Sequence, residues 1–216
     1  MNRYSKVREA DISDELFQMS NSRKRAGESE KFSSLIGYEG TAARYYFKGL
    51  SKCIRPEFAF SARTRRPPLD PFNSMISLGY SVLMNCFYEE IENHGLNPYF
   101  GYMHRDSEKH PTLASDMIEE WRAVIVDSTV MSLINGNEIG TEQFYYDEES
   151  GGCFILREGL NIYLKKLDRK IRTESKYLSY VDYSVSFRRA IGLQVGRLRD
   201  AILEQDATIY TPIRIR

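Results

Sequence analysis

Five side chains stand out for the chemistry they could do together. Glu39, Asp116, Glu119 and Glu120 offer carboxylate oxygens, and His104 offers an imidazole nitrogen. Asp116, Glu119 and Glu120 stand at i, i+3 and i+4, which on an α-helix is one face. Like charges grouped that way repel one another unless a divalent cation neutralises them. Oxygen donors with a single imidazole suit magnesium or manganese, and the imidazole tilts the set toward manganese. A structural zinc site would use cysteines or paired histidines at fixed spacing, and Cys53, Cys86 and Cys153 have no such spacing. Carboxylates holding such an ion are common equipment for phosphodiester chemistry, where the ion stabilises the attacking or leaving oxygen. The residue types alone leave a second reading open. Carboxylates on a helix can be a solvated face, and a loop histidine can be a packing residue. His94 is accounted for by the dipole of a helix end, and His110 takes no assignment.

The elements that would position these groups follow from periodicity. From about Ser29, Phe32, Leu35, Ile36, Ala42, Ala43, Tyr46, Phe47 and Leu50 recur at helical spacing. Glu39 falls on that stripe, four residues before Ala43. A buried unpaired carboxylate is costly, so Glu39 should have a partner or a ligand. Gly40 beside it suggests a close backbone approach. Pro56 ends this region. In Arg63-Thr64-Arg65-Arg66-Pro67-Pro68-Leu69-Asp70-Pro71 the prolines impose an extended path. Asp70-Pro71 then reads as a helix N-cap and first-turn proline. A long helix should run to about His94 and stop at Gly95. His104 lies in the loop Leu96–Thr112. Thr112 is expected to cap one long helix over about 113–134, ended by Gly136. Two more helices are predicted near 158–173 and 176–205, with a short strand over Cys153–Leu156 and an extended tail from Thr208.

These elements predict an all-α chain. Residues 1–29 form a mobile or short helical lead, and 30–216 one helical domain with at most one short strand or hairpin. The 216 residues are 42% hydrophobic and 28% charged, which is enough for a buried core. The formal net charge is zero, which by itself does not favour a polyanion partner. The charge is unevenly placed, however. Arg63, Arg65 and Arg66 cluster, as do Lys165, Lys166, Arg169, Lys170 and Arg172, and then Arg188, Arg189, Arg197 and Arg199, while 138–149 is acidic. Such clusters are either solvated faces or phosphate contacts. Three scattered cysteines, no signal peptide and no apolar run of membrane-spanning length predict a cytoplasmic protein with reduced thiols and no membrane partner.

Three segments resemble the CRISPR-associated protein 1 family, the integrases of CRISPR spacer acquisition. Tyr38-Glu39-Gly40-Thr41-Ala42-Ala43-Arg44-Tyr45-Tyr46-Phe47 is similar to the family's Glu-Gly-x-x-Ala-Arg-x-Tyr-Phe helix. Arg65-Arg66-Pro67-Pro68-Leu69-Asp70-Pro71-Phe72-Asn73 matches its Arg-Arg-Pro-Pro-x-Asp-Pro-x-Asn signature. Gly95-Leu96-Asn97-Pro98 through His104, followed by Leu113-Ala114-Ser115-Asp116-Met117-Ile118-Glu119-Glu120-Trp121-Arg122, resembles its third. These cover about residues 30–135, and a closing Tyr210-x-Pro212 matches more loosely. The resemblance implies that Glu39, His104 and Glu119 bind Mg2+ or Mn2+, and that Asp116 is an accessory catalytic acid. It implies that Arg44, Arg63, Arg65 and Arg66 contact DNA. The implied reaction is transesterification, in which a 3'-hydroxyl of a short DNA fragment attacks a phosphodiester of the CRISPR repeat. A stand-alone metal-dependent nuclease and a non-catalytic DNA-binding subunit are the alternatives. The expected partners are double-stranded DNA, further copies of the chain in a homo-oligomer (a dimer or tetramer), and CRISPR-associated protein 2. The family's N-terminal β-rich domain has no counterpart here, so the sequence reads as an excised catalytic domain or a short integrase.

Overall fold

The computed structural model describes residues 1–104 and 110–213. The chain is mainly helical, as its periodicity predicts. In order come α1 (Asn2–Arg8), α2 (Ser13–Gly27), α3 (Phe32–Lys52), α4 (Pro71–Asn93), α5 (Thr112–Ile118) and α6 (Ser128–Asn135). The strands β1 (Phe144–Tyr146) and β2 (Cys153–Ile155), then α7 (Arg157–Ile171), follow. The strands β3 (Glu174–Ser175) and β4 (Val185–Ser186) precede α8 (Phe187–Leu203). Both strand pairs are antiparallel, so the described residues hold two small sheets where at most one hairpin is expected. Among the described residues no helix is long and apolar enough to cross a membrane.

The chain divides into two compact units. The first comprises residues 1–74 and 134–156, and the second 75–133 and 157–216. In the first, the expected lead is ordered helix, with α2 packed along α3. Glu15 on α2 is fully buried. Lys52 reaches both of its oxygens, at 2.8 and 2.9 Å, and Lys48 reaches one at 3.1 Å. Phe60 stacks on Phe72 with centroids 4.0 Å apart, and Phe58 meets Phe144 edge-on. The N-cap of α4 is as expected: Asp70 Oδ1 accepts from Asn73 N–H at 2.8 Å. Gly151, with φ +65°, makes the turn between β1 and β2, and Cys153 N–H bonds to the Pro68 carbonyl.

In the second unit Trp121 is the centre, fully buried between Phe87 and Phe187 at 6.1 Å from each ring. The single helix expected over 113–134 is broken. α5 stops at Ile118, Glu119–Trp121 form a turn, and Ala123–Asp127 make a π-helical turn before α6. The wider turn allows Trp121, Ile125, Val126 and Asp127 all to be buried, and such insertions concentrate at functional sites. Asp127 is held there by the Tyr80 hydroxyl at 2.7 Å. The last helix starts at Phe187, well after the expected 176. Ser186 caps it by accepting from Arg189 N–H at 3.2 Å, and the chain before it is held by Tyr177 stacking on Phe187.

Candidate active site

The structure brings His104 and Asp116 together. Asp116 projects from α5, with its side chain 10% exposed, into the end of the loop that carries His104. Its Oδ2 accepts the N–H groups of Tyr102 and Met103 at 2.5 and 2.9 Å, and its Oδ1 accepts that of His104 at 3.0 Å. His104 Nδ1 lies 2.6 Å from the same Oδ1. An ionised carboxylate only accepts, so Nδ1 carries a proton, and in the neutral ring the lone pair is then on Nε2. The imidazole is 44% exposed. Burial pushes the Asp116 carboxyl up, but the Met103 N–H, the imidazole and the Tyr102 and His104 N–H groups outweigh it and hold the carboxyl below the usual carboxylate range.

A second set of bonds ties the loop to the start of α5. Buried Thr112 donates to the Tyr99 carbonyl at 2.6 Å and accepts from Gly101 N–H at 2.9 Å, and Leu113 N–H bonds to the Pro98 carbonyl. Thr112 is therefore the first residue of α5 and a stitch for the loop, not the cap expected of it; Pro111 holds the cap position. Gly101 is required by this approach. A Cβ there would stand 2.8 Å from Asp116 Oδ2 and from Thr112.

The expected shared acidic face is not what forms. Each carboxylate has partners of its own because the helix breaks after Ile118. Asp116 holds the loop, and Glu119 pairs with Arg122 at 2.6 Å. Glu120 accepts from the Tyr210 hydroxyl at 2.8 Å and from Ile213 N–H at 3.0 Å. Cation neutralisation is not needed to explain why three acids lie so close in sequence. Among the described residues no three His, Cys, Asp or Glu side chains stand within reach of one metal ion. The donor chemistry at His104 nonetheless suits one. A metal-binding imidazole characteristically donates its other N–H to a carboxylate, which fixes the tautomer and the ring. Asp116 does this for His104.

Glu39 belongs to the first unit, where the N-terminal half of α3 is not buried. Glu39 is exposed, and an added Cβ at Gly40 would meet nothing within 4 Å. Glu39 is therefore not a carboxylate on a buried stripe as its spacing suggests, and among the described residues nothing approaches Gly40 closely. The apolar spacing continues through Phe32 and Ile36, but these side chains are 51% and 39% exposed.

The basic residues separate into two kinds. Fully buried Asn73 gathers the Arg-Arg-Pro-Pro segment: its Oδ1 accepts from Thr64 N–H and from Arg63 Nη1, both at 3.0 Å, and its Nδ2 donates to the Ala62 carbonyl and to Asp70. Arg63 is committed to this loop, and Arg65 and Arg66 are exposed. Arg44 is exposed beside the Tyr45 ring, 5.3 Å from its centroid. Of the other basic residues, Arg172 pairs with Asp168, Arg188 with Glu89 and Arg199 with Asp200. The contact between Glu120 and the tail, and the bonds of Thr112, carry no local sequence signal, because they join residues 90 and 13 positions apart.

The family described as "CRISPR associated protein Cas1" matches residues 1–169. A CRISPR-associated endonuclease Cas1 of Mycobacterium tuberculosis is 38% identical over 188 residues, which is 87% of this chain and 56% of that protein. The Cas6-RT-Cas1–Cas2 complex contains a chain that superposes with a TM-score of 0.82 at 26% identity, over 93% of this chain and 22% of that one. A Cas1 protein from Thermotoga maritima superposes at 0.77 and 25% identity, over 94% of this chain and 63% of that one. The chain thus belongs to the CRISPR-associated protein 1 (Cas1) family and spans a little over half the length of its mycobacterial relative.

Proposed function

We propose that this member of the Cas1 family is the catalytic part of a metal-dependent DNA integrase that joins 3'-hydroxyl ends of short DNA fragments into a CRISPR repeat by transesterification. The observation that carries the reading is the carboxylate-backed imidazole, with Asp116 holding His104 by Nδ1 and by three backbone N–H groups of its loop. His104 Nε2 and Glu119 are then donors for Mg2+ or Mn2+, and the resemblance adds Glu39 as a further oxygen ligand. When bound, the ion supplies Lewis-acid stabilisation of charge on a phosphodiester. Asp116 acts through His104: it holds a proton on Nδ1, so that the neutral ring presents Nε2 to a metal, and it holds the loop in place. Exposed Arg65, Arg66 and Arg44 are assigned to the DNA backbone, and Arg63 to the support of its own loop. The mycobacterial relative is named an endonuclease, and the complex that superposes at a TM-score of 0.82 is titled with both Cas1 and Cas2. Self-association and a CRISPR-associated protein 2 partner are proposed on that basis.

The test is a strand-transfer assay with purified protein, short duplexes bearing 3'-hydroxyls, and a supercoiled plasmid carrying a repeat array. Mg2+, Mn2+ and EDTA are compared, with and without the partner protein. Joined product that disappears with EDTA is the expected result. Cleavage without joining would replace the integrase by the nuclease reading, and DNA binding with neither reaction would leave a non-catalytic subunit.

A further inference from the structure

The turn that carries Glu119 is held on its other side by the C-terminal segment. Glu119 and Glu120 are adjacent and fall at the break between α5 and the π-helical turn, where i→i−3 turn bonds, from Glu119 N–H to the Asp116 carbonyl at 3.3 Å and from Trp121 N–H to the Ile118 carbonyl at 3.0 Å, take the place of the α-helical ladder. Three side-chain anchors add to these turn bonds. Trp121 is fully buried. Arg122 pairs with Glu119. Both oxygens of Glu120 are taken by the tail, one by the Tyr210 hydroxyl and the other by Ile213 N–H. The tail is itself fixed to α8. Gln194 is fully buried, donates to the Thr211 carbonyl at 3.0 Å, and accepts from the Tyr180 hydroxyl at 2.9 Å. A 3-10 turn over Ala207–Ile209, capped by Asp206 on Thr208 N–H at 2.9 Å, leads into it. Burial also keeps the Tyr210 phenol protonated and so a donor.

We infer that Tyr210–Ile213 is a strap whose hold on Glu120 sets the position of the neighbouring Glu119. Glu120 is then a positioning residue and not a metal ligand, although its residue type and spacing made it a candidate oxygen donor. The inference rests on the reading of Glu119 as a ligand. Because adjacent Cα atoms are a fixed 3.8 Å apart, releasing Glu120 frees the backbone that aims Glu119. The expected consequence is weaker metal binding rather than loss of fold. Changes to groups that orient ligands cost about 10- to 100-fold in metal affinity. The loss of one strap bond should fall near the lower figure.

Mn2+ binding is measured by the electron paramagnetic resonance signal of free Mn2+, together with DNA cleavage or joining against Mn2+ concentration. The full chain is used as wild type, Tyr210→Phe, Glu120→Ala, Glu120→Gln and Glu119→Ala, with thermal melts as a check on fold. Tyr210→Phe should raise the half-saturating Mn2+ about tenfold, with the rate recovering at saturating Mn2+. Glu120→Ala should do more, and Glu120→Gln, which keeps an acceptor, should fall between it and wild type. A strap that only stabilises the fold would lower the melting temperature and leave half-saturation unchanged, and that result in both Tyr210→Phe and Glu120→Ala would overturn the inference. If those two are unchanged while Glu119→Ala loses Mn2+ binding, the strap fails and the ligand reading stands. Wild-type Mn2+ affinity in Glu119→Ala would overturn both.

Discussion

Asp116→Asn tests whether the carboxylate works through the loop and imidazole that it holds. The substitution keeps size and shape but leaves one acceptor oxygen where there were two, facing three backbone N–H groups and the imidazole at 2.5 to 3.0 Å. At least one charge-assisted bond is lost, worth about 1.5–3 kcal/mol when buried. Residues 102–104 are exposed, so water replaces part of it and the lower half of that range applies. For a chain of this size that is a fall in melting temperature of about 3–8 °C. The effect on the metal should be larger. The new amide donates toward Nδ1, which favours the tautomer with its proton on Nε2 and removes the lone pair a metal needs. Loss of about 100-fold in Mn2+ affinity is expected, at the upper end for groups that orient a ligand. Thermal melts and Mn2+ titration by electron paramagnetic resonance read the two effects separately. An Asp116→Asn protein that melts lower but binds Mn2+ as wild type would refute the tautomer argument.

Other substitutions probe the supports. Gly79→Ala adds a methyl group that would clash with the Tyr163 hydroxyl and Val126; overpacking should outweigh the gain in helix propensity and destabilise by about 1–3 kcal/mol in denaturant titration, and a stabilised variant would show that the contact is slack. Hydrogen bonds from Lys52 and Lys48 outweigh the effect of burial and hold the Glu15 carboxyl below its usual value, so its contribution is present above about pH 4.5 and is lost as pH falls through the folded-state value. Acid unfolding should flatten in Glu15→Gln, and the double change Lys48→Ala with Lys52→Ala should cost more than Glu15→Gln because it strands a buried charge. Arg65→Ala with Arg66→Ala should reduce the salt slope of duplex binding by about 1.8, whereas Arg63→Ala should lower the melting temperature and leave the slope unchanged.

Much of this protein is legible in one dimension because its signals are local. The Asp70 cap, the long α4, its stop at Gly95 and the helix at Glu39 are each set by residues within a turn or two, where propensity and capping act. The motifs around Glu39, Arg65-Arg66, His104 and Asp116 also mark the family, since residue order survives without knowledge of contacts. Tertiary structure decided the rest. Periodicity over 113–134 describes one unbroken helix, but burying Trp121 and Asp127 together introduces a π-helical turn. Spacing alone places three carboxylates on one repelling face, yet the fold assigns Asp116 to a loop twelve residues back and Glu120 to a tail ninety residues on. It also leaves Glu39 exposed where the apolar stripe suggests burial, because a stripe says which side of a helix is apolar and not how far along its length a neighbour covers it. A hydrogen bond acts over about 3 Å in space and carries no record of separation along the chain. The sequence by itself therefore determines which groups are present and in what order, and only the packed chain determines which donor each carboxylate meets.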